Sequence, residues 1–418
     1  MNHHAAMNPR VPIMKGTPMS NQDDLARRLL EPLREEPSGR PRFDVDRAMA
    51  EGRRLRRMRR WSITAAVSAV TLVTAGGGTA VATALRDDDR TPLPLPSVTA
   101  AAPRKALTCE MSTLPTDGIP QALVTAGDPS GRYLAGRVYR PGKPVRTIVW
   151  RDGQILSRTA MPGSGATFRD INSLGTGVGT SYGSDDRIRS YVYQKDKYFP
   201  MSQVGATAMA INDAGVVVGS AGSEEQPFPV RWNYPGGEYE RLDLPVLATS
   251  GMASAVDEDG TIVGKVSIGD DEATGYLWLP GSRSMMMPLP EVDGRKADAF
   301  WPTSIGGGLV AGRAVFDDEN SRGFTSMTFD LRTEIYRALP ANLGSIQLLA
   351  ADGSVAGVTG RTPAIVSGEV ITKLPVDERK EYDVESFSDD GRVVAGSSGF
   401  TKDEKTANEP ILWRCQTA

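Results

Sequence analysis

Residues 179–183 read GTSYG and match the G-x-S-x-G pattern in which a serine becomes a nucleophile. That chemistry needs a strand–turn–helix elbow and a histidine to take the serine proton. The only histidines in the 418-residue chain are His3 and His4, so the motif has no base to work with. The same shortage removes Cys–His catalysis and histidine-ligated metal centres from the body of the chain. Two stretches, DEDG (257–260) and SDDG (388–391), look like fragments of a calcium loop. They lack the D-x-[DN]-x-[DN]-G spacing and the distal glutamate, and hairpin turns explain them. Carboxylates remain. Acidic pairs stand at Asp185 and Asp186, Glu224 and Glu225, Asp270 and Asp271, and Asp317 and Asp318, with a further acidic stretch in TKDEKTANEP (401–410). Paired acids on neighbouring loops offer a recognition surface for a cationic partner or a weak calcium site. The plainer alternative is that acidic hairpin tips keep the domain soluble. No catalytic residue, no metal site and no cofactor beyond weak calcium is expected.

The elements carrying these loops repeat. A glycine following a short apolar strand recurs at Gly136, Gly179, Gly219, Gly264, Gly312, Gly357 and Gly396, at intervals of 43, 40, 45, 48, 45 and 39 residues. Each follows a turn glycine by four or five residues: Gly131, Gly175, Gly215, Gly260, Gly308, Gly353 and Gly391. The turns, such as NDAG (212–215), suit a hairpin that an Asp or Asn opens and a left-handed Gly closes. A glycine inside a strand implies close approach of another backbone. Downstream an aromatic recurs at Trp150, Tyr193, Trp232, Trp278, Phe329 and Trp413, followed by a turn and a strand running toward Leu-Pro. Four short strands in about 43 residues match one blade of a β-propeller. The sixth unit is the weakest, since TGRTPAIVSGEVITKLP (359–375) has no aromatic.

The seventh unit stops after its third strand at ILWRCQTA, and LTCEMSTLP (107–115) supplies the missing fourth. The expected fold is therefore all-β, a seven-bladed propeller over 107–418 closed by pairing of its first and last strands. Cys109 and Cys415 are the only cysteines, and they lie on those two strands. A disulfide between them is expected if the domain is exported, with two buried thiols as the alternative.

The stretch GATAMAINDAGVVVGSAGSEEQPFPVRWNYPGGEYERLDLP (205–245) resembles the bacterial extracellular repeats of the HAF family. Their A-x-x-I-N-D-x-G-x-V-V-G core precedes an aromatic–Trp strand, and here PFPVRW stands where that family has His-Ala-Phe. The resemblance is good in units 3 and 4, partial in 1, 2 and 7, and poor in 5 and 6. It implies a surface or secreted propeller and carries over no catalytic residue. The Arg-rich head, Ala-rich span and Pro-rich stalk resemble membrane proteins of high-GC actinobacteria in composition.

Charge divides the chain. Residues 1–60 hold 14 Lys+Arg against 8 Asp+Glu, residues 61–85 hold none, and the remainder is acidic by nine charges. The basic head (1–60) reads as cytoplasmic and largely disordered. The apolar segment 61–85 is long enough for a transmembrane helix. Its preceding RRLRRMRRW predicts the N-terminus inside and the body outside. The alternatives are a signal cleaved near Ala84, giving a secreted protein, and a buried helix. The Pro/Ala-rich linker 86–106 reads as a stalk. The acidic body argues against nucleic acid as a partner. A monomeric binding or scaffold module for an unknown protein or glycan at the cell envelope is the leading expectation. A carboxylate-dependent glycosidase or lyase on the propeller is the rival from another class. Transmembrane signalling through the head is a third possibility.

Overall fold

The computed structural model describes residues 107–417 apart from positions 141, 203, 224, 270–272, 282, 319–320 and 400–407. The head, the apolar segment and the linker lie outside the described residues. Among the described residues no helix is long and apolar enough to cross a membrane. Seven four-stranded antiparallel sheets follow one another along the chain, each in simple sequence order except the last. Their first strands are Gln121–Gly127, Ser164–Ile171, Thr207–Ile211, Ala248–Val256, Ala299–Gly306, Leu348–Leu349 and Glu381–Phe387. Each first strand packs on the first strand of the next blade, and the seventh packs back on the first. The ring is closed, and the first strands form its inner wall.

The repeated glycine has a direct physical cause. In six blades the register between first and second strands slips by one residue, leaving Thr125, Arg169, Met209, Ser254, Thr303 or Glu385 as an extra residue on the inner strand. Such a bulge bends the strand and pushes its backbone toward the partner. The partner at that level is always the repeated glycine. A β-carbon on Gly136, Gly219, Gly264 or Gly396 would stand 1.8–2.0 Å from the carbonyl oxygen of Leu123, Thr207, Met252 or Asp383. Only glycine fits there. In the sixth blade the inner strand shrinks to Leu348–Leu349 and the approach to Gly357 relaxes to 3.0 Å. The turn glycines all have φ between 68° and 87°, the left-handed region expected of them.

In blades 1, 4 and 7 the recurring tryptophan ties the blade to the connector entering it, whereas Trp232 Nε1 of blade 3 is buried with no hydrogen-bond partner among the described residues. Trp150 Nε1 donates to the Pro115 carbonyl at 2.8 Å, Trp278 to Asp243 at 2.7 Å and Trp413 to Pro375 at 2.8 Å. A fully buried ring thus closes the blade core while its one polar atom is satisfied by the Leu-Pro connector about 35 residues earlier. The longest interval between repeats, 48 residues, holds a small extra hairpin, Glu291–Val292 with Arg295–Lys296, between blades 4 and 5. With only two residues in each strand, this hairpin has no alternating pattern to mark it in the sequence.

Closure follows the expected route. Leu107–Thr113 is the outer strand of blade 7, paired antiparallel to Glu409–Thr417. Cys109 faces Cys415 in that register, and the two form a disulfide across 306 residues of chain.

Candidate functional site

Antiparallel blades put the loops between second and third strands on one face and the turns between first and second strands on the other. Of the eight acids expected to form the loop rim, Glu224, Asp270 and Asp271 lie outside the described residues. Asp185 accepts from both terminal nitrogens of Arg189, at 2.6 and 3.0 Å. That contact, above all its hydrogen bonds, holds the Asp185 carboxyl down at about 2. Asp186 takes φ 55° in the same loop, and Glu225 is exposed. Asp317 is bridged by Arg322 at 2.7 Å, and Asp318 by Arg295 of the extra hairpin at 2.9 Å. Three of the five described acids are therefore met by arginines of the same face.

The opposite mouth gathers acids of the hairpin turns together with Asp170 of an inner strand. Asn172 and Asn212 each donate their side-chain amide to the next blade's turn, at the Asn212 and Asp257 carbonyls, both at 3.0 Å. The Ser173 amide donates to Asp213 at 2.7 Å, and the Asp213 amide to Glu258 at 3.0 Å. The Asp389 amide donates to the Pro129 carbonyl at 2.7 Å and so joins blade 7 to blade 1. Asp170, on the inner strand of blade 2, accepts from the Ile171 amide and from the Ile211 amide of blade 3, both at 2.8 Å. The turn that the repeat marks is thus also an inter-blade clasp.

These clasps concentrate negative charge. Burial, helped by Glu258 and Asp128, pushes Asp170 up to about 7 against its two hydrogen bonds. Burial and the acids around them also raise Glu258 and Asp389. On the inner strand of blade 7, burial and then Asp383 push Glu385 up to about 7. A carboxyl raised on folding binds its proton more tightly in the native state, so its contribution is complete below the unfolded value near 4 and is lost as pH rises through 7. The ring is expected to melt several degrees lower at pH 8 than at pH 5, which calorimetry across that range reads directly. Asp170→Asn is expected to flatten part of this slope, because the amide no longer ionises. An unchanged slope would place the titration elsewhere.

A second cluster escaped the sequence reading because its members are far apart in the chain. Trp301 Nε1 donates to the Ala273 carbonyl at 2.9 Å, and three cations ring the indole: Lys265 at 5.4 Å, Arg322 at 5.4 Å and Arg313 at 5.7 Å from its centre. Arg313 also lies 4.3 Å over Phe324. The Lys265 contact and the hydrogen bond to Ala273 tie blade 4 to blade 5, while the arginines stack on Trp301 and Phe324 within blade 5. Among the described residues no group of three or more metal-type ligands stands close enough to hold an ion.

Comparison with solved structures rests on shape alone. The β-propeller domain of the Trilobed protease from Pyrococcus furiosus superposes with a TM-score of 0.50 at 12% identity, over 71% of this chain and 97% of that one. The fold is a seven-bladed β-propeller. TolB from Acinetobacter baumannii gives a TM-score of 0.41 at 13% identity, over 72% of this chain and 68% of its own. YCF48 bound to D1 peptide gives 0.43 at 13% identity, over 74% and 97%. The Pyrococcus propeller is described as having an open velcro topology. The present ring differs, since its two ends pair in one blade and are cross-linked. No family model matches the chain, and no curated protein matches it.

Proposed function

We propose that this chain is a binding or scaffold propeller displayed outside the cell, held by the apolar segment 61–85 and related to extracellular HAF-type repeats. The observation that carries the reading is the commitment of its acids. Asp170, Asp213 and Glu258 accept backbone amides across blade boundaries, and Asp185, Asp317 and Asp318 are neutralised by arginines. Groups so engaged build a rigid ring, which suits recognition. The single disulfide supports an oxidising location. Shaving of intact cells with an impermeant protease is expected to remove the propeller while a cytoplasmic marker survives. Full protection of the propeller in intact cells, with digestion only after lysis, would overturn surface display.

A second reading, a carboxylate-dependent glycosidase or lyase, draws on one observation. Burial pushes Asp170 up to about 7, into the range where a carboxyl can hold a proton at neutral pH as a general acid must. Release of reducing ends from envelope polysaccharide, lost in Asp170→Asn, would favour it over binding.

A further inference from the structure

Most of the loops joining second to third strands are acidic, but the loop of blade 1 is basic. Arg140, Lys143 and Arg146 lie within it or at its edges, and Arg158 approaches from beyond the fourth strand. All four are exposed, and they rim a pocket of about 250 Å³ whose wall includes Ile119, Val138 and Ile148. Those three side chains are 7%, 5% and 1% exposed, so the pocket floor is part of the blade core. Arg158 is paired with Asp117 at 2.9 Å. Arg140, Lys143 and Arg146 form no ion pair among the described residues, in contrast to the loop arginines Arg189, Arg295 and Arg322.

We infer that this pocket receives an acidic peptide segment that inserts one apolar side chain between two or more carboxylates. Three considerations select that occupant. The rim offers more positive charge than one carboxylate can meet, so the complementary ligand carries several negative groups. The volume lies below that of an ordinary small-molecule pocket, leaving room for about one large side chain and not for a compact ligand. The apolar floor rewards burial of a hydrophobic group, which a bare anion lacks. The loop also stands on a rigid blade: the Lys143 amide donates to the Arg140 carbonyl at 3.0 Å, and Thr147 bridges to the Thr159 carbonyl at 2.8 Å. These bonds hold the backbone under Lys143 and Thr147, so the cost of binding falls mainly on ordering the exposed Arg and Lys side chains.

The inference deepens the binding reading and rests on it, but it fails separately, because display is read by protease shaving and the pocket by affinity. The test uses the full-length chain and a fluorescein-labelled peptide, Gly-Asp-Asp-Leu-Asp-Asp-Gly, followed by fluorescence polarisation. Two analogues replace the four aspartates by asparagine or the leucine by serine. The parent peptide is expected to bind at least tenfold tighter than either analogue and to weaken as ionic strength rises. The double variant Lys143→Glu/Arg146→Glu, on exposed positions, is expected to lose at least tenfold with an unchanged melting temperature. Equal affinity for the variant would mean that the basic head or another surface holds the peptide, and would overturn the pocket. Equal affinity for the serine analogue would reduce the site to surface charge and overturn it too. Full displacement by decanoate at comparable concentration would assign the pocket to a small amphiphilic acid in place of a peptide. Self-association of the chain, abolished by the double variant, would assign it to an acidic loop of a second copy.

Discussion

Breaking the Cys109–Cys415 bond, by Cys109→Ser or by reductant, is expected to cause the largest loss of stability of any single change outside the blade interiors. The closing strand shows why. Of its seven residues, Leu107–Thr113, only Leu107 and Cys109 pack partly against the core, and the other five are exposed. The strand is outermost in its sheet, so it has ladder hydrogen bonds on one side and little apolar burial to add to them. Edge strands of this kind peel readily. The disulfide instead ties the strand at its third residue and closes a chain loop with a sequence separation of 306. Chain entropy for a loop of that length sets an upper limit of about 5–6 kcal/mol, which native-state strain and residual structure reduce. Urea denaturation of wild-type protein with and without reductant, beside the serine variant, should show the two reduced forms unfolding together at a lower midpoint. Limited proteolysis should then cut first within 107–115. A midpoint indifferent to reductant would mean that the ladder alone closes the ring.

Most of the architecture was legible in the sequence because a propeller repeats its structural needs. Glycine at a turn and, in six blades, glycine opposite a bulge are fixed by backbone geometry, and both glycines recur even in blade 6, whose short inner strand pairs without a register shift and whose aromatic position is Val366. The paired ends and the cysteines followed from the same count. The inter-blade clasps were less legible, since a turn acid has the same sequence signature whether it caps its own hairpin, as Asp128 does through the Ser130 and Tyr133 amides, or holds the neighbour, as Asp213 does. In sequence the acidic loops look like a common surface because spacing does not show which arginine meets which acid. The bidentate contact of Arg189 with Asp185 depends on loop curvature, which no pairwise spacing reports. The basic loop of blade 1 was visible as residues, RVYRPGKPVR (137–146), but its apolar floor is assembled from Ile119 and the blade core and could not be read locally.

The repeated glycines allow a graded prediction, because one substitution can be placed in several blades against different clearances. In Gly264→Ala the new methyl would stand 1.9 Å from the Met252 carbonyl oxygen and 2.9 Å from the Ala253 Cα, both backbone atoms of a bulged inner strand. Neither can swing aside as a side chain would, so the first and second strands of blade 4 must separate or the bulge must rearrange. Overpacking that forces backbone movement costs about 1–3 kcal/mol, and a clash this deep on two strands should reach on the order of 4 kcal/mol. Gly179→Ala meets the Met161 methyl at 2.5 Å and the Thr167 carbonyl at 2.6 Å, and part of that contact yields because a methionine end is flexible. Gly357→Ala meets the Ile346 carbonyl and the Leu343 β-carbon at 3.0 Å, a contact that small shifts relieve. The expected order of destabilisation is therefore Gly264 above Gly179 above Gly357, with the last near 1 kcal/mol. Urea midpoints of the three alanine variants measure it, and soluble yield gives the same order should Gly264→Ala fail to fold. Three equal losses would mean that the glycines are set by a general intolerance of strand interiors to substitution and not by the bulge. The expected order would instead tie the period of the sequence to one contact, an inner carbonyl leaning on a residue with no side chain.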